Sequence, residues 1–253
     1  MKVMVRMPSR GAPKAYSVDR MRMWEKERPD WDWGIHTNFY SVSVCRNEIV
    51  KEAAQKDVDF LIMFDDDTIP TREMLDMPDL NKPVLSGIVP CWQQGHFFWN
   101  AFEIDHERRL FKSISEWDGD PRKVYASGTA IMCIRKDVLQ DPNMRPLFSF
   151  KVDEWGCLVP VGGEDVQFST KCQANGHEMW VNPRVQGEHW RELNMLQTLI
   201  AVEGSKDNVD WHVVEQFAIG LDVIGWQLPG CSYETQVDKQ IRAVDKFNPL
   251  QVR

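Results

Sequence analysis

No stretch of this 253-residue chain approaches the roughly 20 consecutive apolar residues that a membrane-spanning helix requires. The start runs Met1-Lys2-Val3-Met4-Val5 with no long apolar segment behind a basic one, so no secretory leader is expected. Cysteine is sparse: six residues, at 45, 91, 133, 157, 172 and 231, none in CxxC spacing. They read as reduced core thiols of a cytoplasmic protein. Positive charge is short too. Thirty Lys and Arg stand against 38 Asp and Glu, a net −8, which disfavours a sequence-independent grip on nucleic acid. Internal repeats and low-complexity tracts are missing.

What remains is the composition of an ordinary globular chain, 43% apolar and 27% charged. The length suits one large α/β domain or a domain with an appendage. A first strand is expected over 2–7, broken at Pro8-Ser9-Arg10-Gly11, and a helix over 16–27. A loop is expected around 29–33. A helix over 45–56 carries Ile49, Val50, Ala53 and Ala54 on one face, and an apolar strand follows at 59–64. That order suggests βαβ units and a mostly parallel sheet. Further expectations are a short helix at 71–77, a strand at 84–89 and a meander over 97–125. A strand at 130–134, a helix from Lys136, a loop over 141–162, a helix over 164–174 and a strand at 178–182 follow. The remainder from about 196 reads as helical, so a core domain over 1–195 and a helical extension over 196–253 are expected.

The apolar strand ends in Asp65-Asp66-Asp67-Thr68-Ile69-Pro70. In an open α/β sheet, ligands bind beyond the carboxyl ends of the strands. On an extended segment Asp65 and Asp67 point one way and Asp66 the other. Two carboxylates held at about 4 Å repel by roughly 4 kcal/mol at an effective dielectric of 20, a cost that a divalent cation reverses. An acidic turn that caps a following helix is the plain alternative.

Two later segments bear on the choice. Gly162-Gly163-Glu164-Asp165 opens a helix with two carboxylates, which is either ordinary capping or a catalytic pair. Gly187-Glu188-His189-Trp190 places an imidazole after a strand of its own. Imidazole with carboxylates suits Mn²⁺ better than an all-oxygen Mg²⁺ or Ca²⁺ cage.

Taken in order, Arg46-Asn47, Asp65-Asp66-Asp67, Ser86-Gly87, Ser127-Gly128-Thr129, Gly163-Glu164-Asp165 and Gly187-Glu188-His189 carry a family likeness. From Lys2 to about Trp190 the chain resembles the metal-dependent glycosyltransferases of the GT-A fold, in particular the family-2-like group. The resemblance implies a nucleotide-binding α/β sheet and transfer of a sugar from a nucleotide-diphospho-sugar, with Mn²⁺ or Mg²⁺ on the diphosphate. It implies Asp65 and Asp67 as metal ligands, Asp67 the firmer, with His189 as a further ligand. Asp66 corresponds to the position that approaches the ribose. Pro8, Ser9 and Arg10 are placed like the loop that lines the base, and Arg46 like a nucleotide contact. Asp165 matches the catalytic base of inverting members, beside Glu164. Gly128 and Gly163 would leave room for the sugar, and Trp92, Trp99, Trp155 and Trp190 are candidates to stack on it. The acceptor is a glycan, a small molecule or a polymer, DNA bases included.

Two rivals remain at this stage. A sugar-phosphate nucleotidyltransferase would carry a longer Gly-rich basic loop than Met7-Pro8-Ser9-Arg10-Gly11-Ala12-Pro13. A non-catalytic carbohydrate- or nucleotide-binding protein would have no need of a base at Asp165.

Overall fold

The computed structural model describes residues 1–37, 41–93, 96–105, 110–155, 157 and 163–189. The expected helical extension over 196–253 lies outside the described residues, as do Gly162, Trp190 and Cys231.

The chain begins with β1 (Val3–Ser9), α1 (Ala15–Glu27), β2 (Asp32–Thr37), α2 (Val42–Lys56) and β3 (Phe60–Phe64). The short β4 (Thr68–Pro70) and a 3-10 helix (Arg72–Leu80) lead into β5 (Val84–Ile88). Next come β6 (Pro90–Gln93), β7 (His96–Trp99), β8 (Ala101–Asp105), β9 (Leu110–Ser113), β10 (Arg122–Val124) and β11 (Ala126–Ser127). The described part ends with β12 (Ile131–Arg135), α3 (Lys136–Gln140), a 3-10 turn (Pro142–Met144), α4 (Glu164–Ala174) and β13 (Met179–His189).

The main sheet runs in the order β10-β13-β5-β12-β3-β1-β2, with β4 paired to β13. Strands β2, β1, β3, β5 and β13 share one direction, while β12 and β10 run against it. The sheet is therefore mostly parallel, as expected for a GT-A arrangement. β6 pairs with β7, and β11, β8 and β9 form a small antiparallel sheet, which together make up the expected meander.

Burial on both faces explains the continuous apolar run of β3; every residue of β1 is buried too, Arg6 and Ser9 included. Met4, Leu61 and Met63 face one core with Ile49 and Ala53 of α2 and Phe168 of α4. Val5, Ile62 and Phe64 face the other with Met21 and Trp24 of α1 and Met74 of the 3-10 helix. The result is three layers, helices on both sides of a sheet. Ser41 caps α2 by accepting from the Val44 amide at 3.2 Å.

The structure departs from the sequence-based expectations in four places. β2 stands where a loop was expected to reach Trp33; its half-exposed Asp-Trp-Gly-Ile-His-Thr lies at the sheet edge and has little apolar pattern. Residues 72–80 form a 3-10 helix, with Pro78 inside it. β13 runs on to His189 through a register shift between Asn182 and Gln186, where Pro183 interrupts the strand signal. Among the described cysteines, which are all free thiols, Cys91 is half-buried and Cys157 exposed rather than in the core.

Candidate functional site

Topology alone gathers the expected residues. Because β1, β3, β5 and β13 are parallel, their carboxyl ends bring Ser9, Asp65, Val89 and His189 to one edge of the sheet. β12 runs the other way, so Ser127-Gly128-Thr129, which precedes it, reaches the same edge. α2 follows β2 and starts there as well, which brings Arg46 near its first turn to the site.

The acidic triplet is a turn. β3 stops at Phe64, the Asp65 carbonyl accepts from the Thr68 amide at 3.1 Å, and the strand resumes as β4. Strand alternation therefore does not govern these side chains, and each carboxylate has its own partner. Asp65 Oδ1 accepts from Arg46 Nη2 at 2.6 Å. Asp66 Oδ2 accepts from the buried Ser9 hydroxyl at 2.6 Å. Asp67 Oδ2 lies 3.4 Å from His189 Nε2.

His189 is fixed from behind. The Pro90 carbonyl, which can only accept, lies 3.1 Å from Nδ1, so Nδ1 carries a proton. Nε2 then meets Asp67 either with a second proton or with a lone pair. Asp67, and after it Cys91, raise the imidazole pKa to about 10, so without a cation the pair holds the proton. With the proton gone, two acceptor atoms face each other. Their 3.4 Å separation lies within the span of two ligands bound to one ion at about 2.0–2.2 Å. A backbone carbonyl orienting the rear nitrogen is the usual support of a metal-bound histidine. Asp67 and His189 are the residues that would hold a divalent cation at this edge.

The three-ligand set expected from the sequence is not assembled. Among the described residues no three His, Cys, Asp or Glu side chains converge on one metal position. Asp65 is engaged by Arg46 instead. The Arg46 side chain is 2% exposed, and its Nη1 donates to Glu164 Oε1 at 2.6 Å. It lies 5.9 Å from the centre of the Phe148 ring.

Glu164 and Asp165 open α4 behind Gly163, where no side chain caps the helix. Asp165 Oδ1 accepts from the Val166 amide at 2.7 Å, and its backbone carbonyl accepts from the Ser169 hydroxyl at 2.8 Å. Burial, and then the charge of Glu164, push the Asp165 carboxyl above the usual range. Burial also raises Asp65, against the opposing pull of Arg46. A β-carbon on Gly163 would stand 2.9 Å from Asp165 Oδ1, so glycine leaves that carboxylate its place.

The remaining candidates divide. Gly128 is buried, and its amide donates to the Asn100 carbonyl at 2.6 Å. Pro8 and Ser9 end β1, while Arg10 is exposed. Trp99 packs against the core, and Trp155 is exposed. Asn100, which no motif marks, accepts through its side chain from the Val89 amide at 2.7 Å, and Ser86 and Ser127 of the two Ser-Gly motifs meet through their hydroxyls at 2.8 Å. Only a sheet register reveals either pair. An apolar groove of about 600 Å³ flanks α2 near Val50, Leu139 and Leu147, away from the carboxylates.

Fold and site define an α/β protein with a mostly parallel sheet and a carboxylate-rich edge. No protein-family profile matches the chain, and no curated protein matches it. Among solved structures, the crystal structure of A197 from STIV is similar at 17% identity and a TM-score of 0.52, over 76% of this chain and 87% of that one. The crystal structure of GalNAc-T7 with UDP, GalNAc and Mn²⁺ aligns at 11% identity and a TM-score of 0.43, over 97% of this chain and 54% of that one. The first likeness concerns the fold alone, and the second is too distant to inform fold or site. Among the described residues no helix is long and apolar enough to cross a membrane.

Proposed function

We propose that the chain is a metal-dependent glycosyltransferase that moves a sugar from a nucleotide-diphospho-sugar to an acceptor hydroxyl, with inversion. The observation that carries this reading is the Asp67–His189 pair, 3.4 Å apart at the carboxyl edge of the sheet and held from behind by the Pro90 carbonyl. A binding protein has no need of the base assigned to Asp165.

Asp67 and His189 would hold Mn²⁺ or Mg²⁺. When bound, such a cation acts as a Lewis acid toward the leaving diphosphate. Asp165 supplies the complementary half. Its raised pKa makes it a stronger base than an ordinary aspartate, suited to take the proton of the attacking hydroxyl. Asp66, steadied by Ser9, is assigned to the ribose, with Pro8 and Arg10 beside the base. A β-carbon on Gly128 would stand 3.0 Å from the Asn100 side chain, so this glycine makes room for Asn100 and not for the transferred sugar.

The test is a screen of UDP-glucose, UDP-N-acetylglucosamine, UDP-galactose and GDP-mannose with and without Mn²⁺, read by thermal shift and by slow donor hydrolysis. Binding to the folded state raises the melting temperature by mass action. A Mn²⁺-dependent shift and hydrolysis with at least one donor is expected. Silence across a broad panel would overturn the assignment, and pyrophosphate release from a nucleoside triphosphate and a sugar phosphate would replace it with nucleotidyl transfer.

A further inference from the structure

Resting on the glycosyltransferase reading above, we infer that Arg46 is a positioning residue: a buried clamp that ties the turn carrying Asp67 to the helix end carrying Asp165. Its guanidinium is 2% exposed and reaches Asp65 with Nη2 and Glu164 with Nη1, each at 2.6 Å. These partners stand 19 and 118 positions away in the chain. Asp65 lies two residues before Asp67, and Glu164 immediately precedes Asp165. One cation therefore joins the segment that would face the diphosphate to the segment that would face the acceptor.

The geometry argues against the nucleotide contact that the sequence resemblance implies. Both terminal nitrogens hold carboxylates. Nε is buried and has no hydrogen-bond partner among the described residues. An arginine contacting a phosphate would point its fork outward. The planar fork is what the clamp requires, since it reaches two carboxylates in fixed directions. A lysine at the same place is a point charge on a flexible stem and cannot hold both in the same geometry. The clamp also separates roles within the triplet. Asp65 orders the turn, and Asp67, paired with His189, is the carboxylate assigned to the cation.

The test uses the full chain and three measurements. Mn²⁺ alone is titrated by electron paramagnetic resonance. Donor hydrolysis gives KM and kcat with whichever nucleotide-sugar of the panel the wild type turns over. Urea unfolding is followed without any ligand. Arg46→Lys is expected to leave Mn²⁺ affinity and KM within about 3-fold while kcat falls by about 30-fold or more, the signature of lost transition-state geometry. Asp65→Asn is expected to weaken Mn²⁺ binding by less than the about 100-fold that loss of a ligand would cause, because a clamp partner is not a ligand.

Opposite results overturn the inference. A rise in KM of about 10-fold in Arg46→Lys marks a nucleotide contact. Loss of Mn²⁺ binding in Asp65→Asn marks a ligand. A fall in kcat that merely tracks the folded fraction marks a purely structural arginine. If Arg46→Lys does not fold, Asp65→Asn and Glu164→Gln carry the kinetic test, each with lowered kcat at unchanged KM. If the wild type binds Mn²⁺ but turns over no donor, the functional reading fails separately. The clamp is then judged by unfolding, where Arg46→Lys and Glu164→Gln should couple by more than about 10-fold in the equilibrium constant. Additive effects would dismiss it.

Discussion

His189 Nε2 faces Asp67 Oδ2 across 3.4 Å, with its other ring nitrogen held by the Pro90 carbonyl. Asp67 immediately precedes β4, which pairs antiparallel with β13 and sets Thr68 opposite His189. Losing one outer hydrogen bond to a metal ligand typically weakens binding by roughly 10–100-fold. Loss of a ligand itself should therefore weaken Mn²⁺ binding by about 100-fold or more. Asp67→Asn and His189→Ala are each expected to do so in a titration of the protein with Mn²⁺ alone. Unchanged affinity in both variants would rule this pair out as the metal site.

Gly87 tests the packing that brings these residues together. It lies in β5, beside β13, and a β-carbon there would meet the Val185 backbone carbonyl and Cγ1, both at 2.8 Å. Backbone cannot step aside as a long side chain can. Gly87→Ala is expected to destabilise the fold by about 1–3 kcal/mol, the usual cost of overpacking, as measured by urea unfolding. A variant as stable as the wild type would show that β13 can shift at no cost.

Much of this architecture is legible in the sequence because burial on both faces leaves an unbroken apolar signature. Phe60-Leu61-Ile62-Met63-Phe64 and Val84-Leu85 admit few alternatives, and Asn175-Gly176 marks the end of α4. β2 escapes that logic, since an edge strand with half-exposed residues needs no apolar run. The candidate site is legible as an inventory and not as a set of pairings. Asp65, Asp66 and Asp67 are adjacent in sequence, yet a turn sends them to Arg46, Ser9 and His189. No local pattern encodes such long-range partners. An arginine at a helix start looks solvent-exposed until the end of β3 and the start of α4 each place a carboxylate over it.

The Arg6–Glu52 pair gives a pH signature away from the site. Arg6 Nη2 and Nε reach the two Glu52 oxygens at 2.6 and 3.1 Å, and Lys56 adds a third contact. Chiefly through the Arg6 hydrogen bonds, the Glu52 carboxyl falls from 4.5 to about 2 in the folded protein. The folded state therefore favours the ionised form. Its stabilisation is complete above the ordinary value of 4.5 and drains away as pH falls through about 2. Glu52→Gln should be less stable than the wild type by about 1–3 kcal/mol at neutral pH. The gap should close as the pH is lowered through that window, as followed by urea unfolding. A gap that is independent of pH would assign the loss to packing.

Asp165 carries the proton-transfer half of the proposed reaction, so its replacement separates chemistry from binding. Asparagine keeps the size of the side chain and an oxygen able to accept from the Val166 amide, which holds the present conformation. It removes the basicity that burial and Glu164 raise. General-base assistance is typically worth about 10²–10⁴-fold. Asp165→Asn is expected to lower transfer to an acceptor by that range, while the thermal shift induced by donor and Mn²⁺ stays close to that of the wild type. The acceptor hydroxyl, rather than the donor, is then the partner of this carboxylate. Full turnover in Asp165→Asn would remove it from the base role and leave Glu164, already paired with Arg46, as a poor substitute.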